Sequence, residues 1–329
     1  MDSKGLEYYW YSRKPLVWLL LPLSGLFFLL SSIRRLFYQF GLLSSYRASI
    51  PIIIVGNISV GGTGKTPLVV WLCQFLQDQG FKPGIINRGY QGKATTWPQQ
   101  VTESSDAAQV GDEAVLIAQR TGCPVVAGPK RIDSVKLLEQ QGCDIVISDD
   151  GLQHYALQRD IEIAVVDGER RVGNGFLLPA GPLRERVGRL RQVDLVVCNG
   201  GRAEQGEFLM QVIASDVVSV TDPAKRRPLS TFAEKRVTAI AGIGNPERFF
   251  CTLKQAGVEI IRRIFPDHHH FSAADLQTAD NPLLMTEKDA VKCRTIAPAD
   301  SWYLLVEAKF NDDFIQYLKL CLNQLKNKD

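Results

Sequence analysis

Short, continuous apolar runs alternate along this chain with longer stretches in which apolar residues return at helical spacing. The runs at residues 50–55 (IPIIIV), 83–86 (PGII), 124–127 (PVVA), 143–147 (CDIVI), 161–166 (IEIAVV) and 193–197 (VDLVV) are bounded by turn residues. Such runs predict strands buried on both faces. Between them, a helical pattern opens at Leu68-Val69-Val70-Trp71-Leu72 and stops at Gly80, and others cover residues 112–120 and 132–141. Repeated βα units with short connections predict a mostly parallel sheet covered by helices on both faces. After residue 200 a polar, irregular stretch is expected, and residues 221–236 (TDPAKRRPLSTFAEKR) read as a linker or an extended crossover. A second α/β unit follows, with strands at 237–241, 283–285 and 303–306 and helices at 246–255 and 313–325.

The N-terminus departs from this pattern. Residues 15–33 (PLVWLLLPLSGLFFLLSSI) carry no charge, and as a helix they would reach about 28 Å, close to the depth of a bilayer core. Arg13 and Lys14 lie before the segment and Arg34 and Arg35 after it, with Tyr8, Tyr9, Trp10, Tyr11 and Trp18 suited to headgroup level. A cleaved leader is not expected, because it would export a nucleotide-binding loop away from cytosolic nucleotide. A full span would place one basic flank outside, whereas a helix lying in the interface keeps both flanks with anionic headgroups. The interfacial anchor is the preferred reading; a span and a buried hydrophobic hairpin are the alternatives.

The 329 residues, 45% apolar and 22% charged, are ordinary globular composition. We divide them into a hydrophobic membrane-associated segment (1–40), a nucleotide-binding domain (41–220), a linker (221–236) and a smaller α/β domain (237–329). A net charge of +3 with mixed signs announces no nucleic-acid surface. The seven scattered cysteines lack C-x-x-C spacing and read as small buried hydrophobes of a reducing compartment.

Candidate chemistry starts right after the first strand, at Gly56-Asn57-Ile58-Ser59-Val60-Gly61-Gly62-Thr63-Gly64-Lys65-Thr66-Pro67. A strand, a glycine-rich loop, Lys-Thr and then a helix place backbone N–H groups around nucleotide phosphates, with the lysine on the β/γ oxygens and the threonine hydroxyl on Mg²⁺. Gly61, Gly62, Thr63, Gly64, Lys65 and Thr66 are the expected nucleotide contacts, although Ser59 stands where the strict pattern has glycine; an ordinary βα turn is the plainer alternative. Asp149 and Asp150 end the strand at 143–147, where a P-loop fold holds the acid that organises Mg²⁺. Capping or turn aspartates are the other reading there. Neither Cys198-Asn199-Gly200-Gly201 nor Thr286-Glu287-Lys288-Asp289 fits the guanine-reading pattern, so ATP is expected over GTP.

Together GNISVGGTGKTP, NRGY, GDE, SDDGLQH, GNGFLLPAGPLRE, AGIGNPERF, FPDHH and MTEKDAVK, in this order behind a hydrophobic segment, resemble the tetraacyldisaccharide 4'-kinases of lipid A biosynthesis. The resemblance runs to about residue 310. It implies a P-loop NTPase-like fold and transfer of phosphate from ATP, with Mg²⁺, to the 4'-hydroxyl of an acylated glucosamine disaccharide 1-phosphate. It also implies a location at the cytoplasmic face of the bacterial inner membrane, with no protein partner. An Asp–His dyad carried over from the family falls on Asp112 and His268, and Glu113 becomes a further metal-side carboxylate. His268 is followed by His269 and His270, so the dyad depends on register; a triplet of neighbours is a poor zinc site. Arg88, Tyr90 and Arg184 lie in loops at the carboxyl side of the sheet, where open α/β folds bind ligands, and are candidate substrate contacts, with structural arginine–carboxylate pairing as the alternative. A membrane-anchored ATPase or nucleotide switch acting on a protein is the alternative, with Gln153 activating water; a purely structural tethered domain would have to dismiss both nucleotide signatures.

Overall fold

The computed structural model describes residues 9–11, 15–278 and 281–326; Tyr8, Arg13 and Lys14 lie outside the described residues. The uncharged N-terminal run folds as a 3-10 turn (Pro15–Leu20) continued by helix α1 (Leu21–Gln39), with a proline in its first turn, where an N–H has no partner to lose. From Val17 to Gln39 it is long and apolar enough to cross a membrane. One thin seam attaches it to the body: Ser24 Oγ donates to the Leu177 carbonyl at 2.8 Å and accepts from the Ala180 N–H at 3.0 Å. Around that seam Trp18 meets Phe176 edge-on, Arg186 covers the Phe28 ring, and Arg35 pairs with Glu185. Leu19, Leu23, Leu26 and Leu30 are exposed.

Strand β1 (Ile52–Gly56) is buried along its whole length. Alternate residues serve opposite faces: Ile53 and Val55 meet helices α2 (Lys65–Asp78) and α4 (Asp112–Thr121), whereas Ile52 and Ile54 meet α5 (Arg131–Gln140) and the 152–157 segment. Strands β2 (Pro83–Asn87), β3 (Gln99–Val101), β4 (Val125–Ala127), β5 (Ile145–Asp149), β6 (Ile161–Asp167) and β7 (Leu195–Asn199) complete this half, with the short helix α3 (Ala107–Val110) leading into α4. Strand β1 lies between β5 and β6, all three parallel, so the carboxyl ends of the most buried strands open on one edge.

The stretch after residue 200, expected to be irregular, is a strand of 13 residues, β8 (Glu207–Ser219). Phe208, Met210 and Val212 alternate onto the core covered by α8 (Asp312–Lys326), while Glu207, Leu209 and Gln211 face the other way. Polar neighbours on both sides mask that alternation in the sequence. The segment 221–236 holds β9 (Arg226–Pro228), paired with β8, and a 3-10 turn whose Leu229 and Phe232 are buried. Beyond it come β10 (Arg236–Ala241), α6 (Pro246–Gln255), β11 (Glu259–Ile264), β12 (Leu283–Thr286), α7 (Glu287–Cys293) and β13 (Ser301–Phe310). Strand β11, half exposed and rich in arginine, is absent from the expected set.

One sheet of 13 strands runs through both halves in the order β11-β10-β12-β13-β8-β7-β6-β1-β5-β2-β4-β3, with β9 beside β8. Most neighbours are parallel. The antiparallel pairs are β8 with β13, β8 with β9, and β3 with β4. The β8–β13 pair is the joint, so the loops after β10 and β12 stand over the loops after β1 and β2. All seven cysteines are free thiols, five of them buried.

Candidate active site

The phosphate loop is held from two sides. Its first part is extended: Ser59 bridges Leu183, and the Val60 N–H donates to the Pro182 carbonyl at 2.8 Å. Paired backbone needs no glycine, which explains why serine is accommodated there. The second part turns sharply through Gly61 (φ +106°) and Gly64 (φ +90°), left-handed positions that favour glycine. Asn199, at the end of β7, donates from Nδ2 to the Thr63 carbonyl at 2.9 Å, and Asn57 donates to Thr63 Oγ1 at 3.2 Å. Helix α2 begins at Lys65, so its free N–H groups and positive dipole end point into the loop.

At the end of β5 the two aspartates diverge. Asp150, in a left-handed conformation (φ +48°), accepts from Arg184 Nη1 at 3.0 Å on both oxygens and faces Lys65 Nζ at 3.3 Å. Burial works against its charge, but Lys65 and Arg184 hold the carboxyl well below the usual range. Asp149 is only 1% exposed; its Oδ2 accepts from Asn87 Nδ2 at 2.8 Å, while its buried Oδ1 has no hydrogen-bond partner. Burial pushes the Asp149 carboxyl up to about 7, reinforced by Glu113 and Asp150 and opposed by Lys65 and Arg131. Among the described residues no three carboxylate, imidazole or thiolate groups form a preformed metal cage. Mg²⁺ at nucleotide sites needs none, since it takes one or two carboxylates and fills the rest of its octahedron with phosphates and water. The orphaned Asp149 oxygen, with Asp150 and Glu113 nearby, has the chemistry of such a ligand.

Across the cleft, His268 Nδ1 lies 3.0 Å from Asp112 Oδ2, joining residues 156 apart in sequence. Asp112 opens α4 and accepts the Glu113 N–H on Oδ1 at 2.9 Å. Burial disfavours its charge, yet the hydrogen bond with His268 and the charge of Lys288 hold the carboxyl below the ordinary range. His268 has φ +59°, a strained conformation for a histidine, and its N–H donates to the Gly242 carbonyl at 3.2 Å. The triplet diverges: His269 faces Asp275 at 3.4 Å and stacks on Phe265. Tyr90 is exposed, with its ring 5.3 Å from that of His268.

A cleft of about 910 Å³ gathers these groups. Gly61 to Thr66, Arg88, Tyr90, Glu113, Asp150, Arg184 and His268 all line it, with Asp112 behind the imidazole and Asp149 behind Asp150. The structure therefore brings all the sequence-selected residues to one region. It adds residues that the pattern did not select. Asn199 braces the phosphate loop, whereas in the sequence it stands only in a segment that fails the guanine-reading pattern. Gly244 approaches the loop so closely that a Cβ would lie 3.1 Å from the Gly62 nitrogen, and Arg170 ties the Gly244 carbonyl at 3.1 Å. Lys288 faces His268 Nε2 at 3.2 Å. Its signals in the sequence are a position in MTEKDAVK and in a segment that fails the guanine-reading pattern.

Comparisons with known proteins show the family. A family model described as tetraacyldisaccharide-1-P 4'-kinase matches residues 16–323. The tetraacyldisaccharide 4'-kinase of Aeromonas hydrophila is 53% identical over 308 residues, covering 92% of each chain. That of Nitrosococcus oceani is 51% identical over 323 residues, covering 97% of this chain and 95% of its own. A crystal structure of LpxK from Aquifex aeolicus in complex with ATP superposes with a TM-score of 0.80 at 29% identity, covering 94% of this chain and 99% of that one. On a match that spans nearly its whole length, the chain belongs to the tetraacyldisaccharide-1-P 4'-kinase family.

Proposed function

We propose that this protein transfers the γ-phosphoryl group of ATP to the 4'-hydroxyl of a tetraacylated glucosamine disaccharide 1-phosphate, at the cytoplasmic face of the inner membrane. The observation that carries the reading is the carboxylate–imidazole pair facing the phosphate loop across one cleft, in a chain of this family. Gly61 to Thr66 cradle the phosphates, and Lys65 meets their charge once ATP draws it from Asp150. Thr66 and Asp149, with Asp150 or Glu113, would hold Mg²⁺, which neutralises phosphate charge in the transition state. Asp112, oriented by His268, accepts the hydroxyl proton. As that proton leaves, the acceptor oxygen bonds to the γ-phosphorus, the bond from phosphorus to the bridging oxygen breaks, and its electron pair departs with ADP. Arg88, Tyr90 and Arg184 line the route of the acceptor.

The membrane reading rests on α1. Ser24 fastens its first turn to the body and Arg35, near its other end, pairs with Glu185, so the helix lies along the protein with its exposed leucines outward, as an interfacial anchor would. Gln153, the residue on which a water-activating switch would depend, is engaged by the Asn57 carbonyl at 3.0 Å, Glu185 at 2.8 Å and Arg184 at 3.5 Å. The test is label transfer from γ-labelled ATP, with Mg²⁺, to the acylated disaccharide 1-phosphate in detergent. Labelled lipid is the expected product; hydrolysis of ATP without labelled lipid would sink the kinase reading.

A further inference from the structure

Lys288 is 17% exposed in its side chain and sits in the first turn of α7. Thr286 caps that turn by accepting the Asp289 N–H, and Arg120 of α4 clamps the neighbouring Glu287 at 2.8 Å, so the lysine is fixed from both sides. An ammonium has three donors and no acceptor. Here each donor has a partner: Glu113 Oε1 at 3.1 Å, Asp267 Oδ1 at 3.4 Å and His268 Nε2 at 3.2 Å.

The third contact has a chemical consequence. A group that can only donate requires Nε2 to offer a bare lone pair; an N–H there would set two donors against each other. The single ring proton then sits on Nδ1 and is donated to Asp112 Oδ2 at 3.0 Å. Nε2, covered by the ammonium, has no lone pair left for an incoming hydroxyl.

We propose that Lys288 is a positioning residue that fixes the ring tautomer of His268, with the proton on Nδ1 and Nε2 bare, and so leaves the acceptor's proton to the Asp112 carboxylate. This rests on the kinase reading only for its last clause. The other charged groups around the imidazole leave the assignment intact. Asp267 lies 3.8 Å from Nε2 and shares its oxygen with Lys288. Glu113 is reached through Lys288, Lys292 acts on Asp112, and the Tyr90 ring covers one side. Without the ammonium, Asp267 would draw the ring proton to Nε2, Nδ1 would face Asp112 bare, and the imidazole would no longer orient that carboxylate by donating to it.

The experiment reads ring nitrogens in protein labelled with ¹⁵N-histidine, where four histidines give four resolvable systems and His268→Gln assigns one. In the lipid-free wild type at neutral pH, Nε2 of His268 is expected bare and Nδ1 protonated. A protonated Nε2 there overturns the proposal without touching the kinase reading and without any variant having to fold. In Lys288→Met, Nε2 is expected to gain a proton and kcat to fall roughly 10- to 100-fold with the apparent affinity for MgATP unchanged. Lys288→Arg, again a donor only, is expected to keep Nε2 bare and retain most of kcat. An unprotonated Nε2 in Lys288→Met, with the same loss of kcat, would reduce Lys288 to a structural role.

Discussion

At the scale of single residues, Asp112→Asn is the direct test of the base. The amide keeps the volume and can still pair with His268, but it cannot take a proton, so kcat should drop about 10²- to 10⁴-fold while ATP binding, followed by equilibrium dialysis, stays near wild type. Unchanged turnover would remove Asp112 from the reaction. A second residue reports on stability. His154 is half-buried among Arg131, Arg159, Arg34 and Arg88, and burial followed by those charges lowers it from 6.5 to about 4. Above pH 6.5 both folded and unfolded chains hold it neutral, so it has no effect on stability. As pH falls from 6.5 to 4, only the unfolded chain takes up the proton, and stability is lost through that window. The urea midpoint of the wild type should therefore decline more steeply over this interval than that of His154→Gln; parallel curves would refute the assignment. Little of this was legible in the sequence. Asp112 and His268 are 156 positions apart and were paired by resemblance alone, and the arginines around His154 come from α1, the loop after β2, α5 and the 152–160 segment. Proximity of that kind is a product of topology, which local patterns do not encode.

At the scale of elements, the turn from phosphate loop into α2 was the most legible feature, because strand, glycines and helix follow one another without interruption. What the pattern could not give is the brace. A Cβ on Gly64 would lie 2.0 Å from Asn199 Nδ2, and the residue has φ +90°. Gly64→Ala should therefore cost more than the roughly 1–2 kcal/mol of left-handed backbone strain, because Asn199 must also leave the Thr63 carbonyl. Urea denaturation should show that loss together with weakened ATP binding. A variant of wild-type stability and affinity would show that the loop does not depend on this contact. Strand β8 failed to register for the opposite reason. Its inward residues Phe208, Met210 and Val212 are apolar, but Glu207, Gln211 and Asp216 interrupt the run, and the basic and acidic residues just before it suggested a loop. A half-covered antiparallel strand reads as alternation at best, whereas strands such as β1, covered on both faces, read as continuous runs.

At the scale of the whole molecule, the joint formed by β8 and β13 makes one sheet of both halves, and it is what lets His268 and Lys288 reach a site begun by β1, β2 and β5. The sequence division at residues 221–236 marked a change of composition; the continuity depends on a pairing between strands about 90 residues apart, which no local pattern displays. The N-terminal segment poses the remaining question of how this sheet meets its lipid. Leu23, Leu26 and Leu30 are 53%, 52% and 60% exposed and share one side of α1 by their helical spacing, away from the Ser24 seam. In water they contribute little to packing, so replacing all three with glutamine should leave the urea midpoint nearly unchanged. In a lipid phase each buried leucine is worth about 1.5 kcal/mol or more, a factor of roughly 10 in partitioning. The triple variant should therefore lose sedimentation with vesicles containing anionic lipid, while keeping ATP binding and its activity toward substrate dispersed in detergent. Sedimentation equal to wild type would mean that this face of α1 is not what holds the protein at the membrane. A fall in stability alongside lost sedimentation would instead place these leucines against protein, contrary to their exposure here.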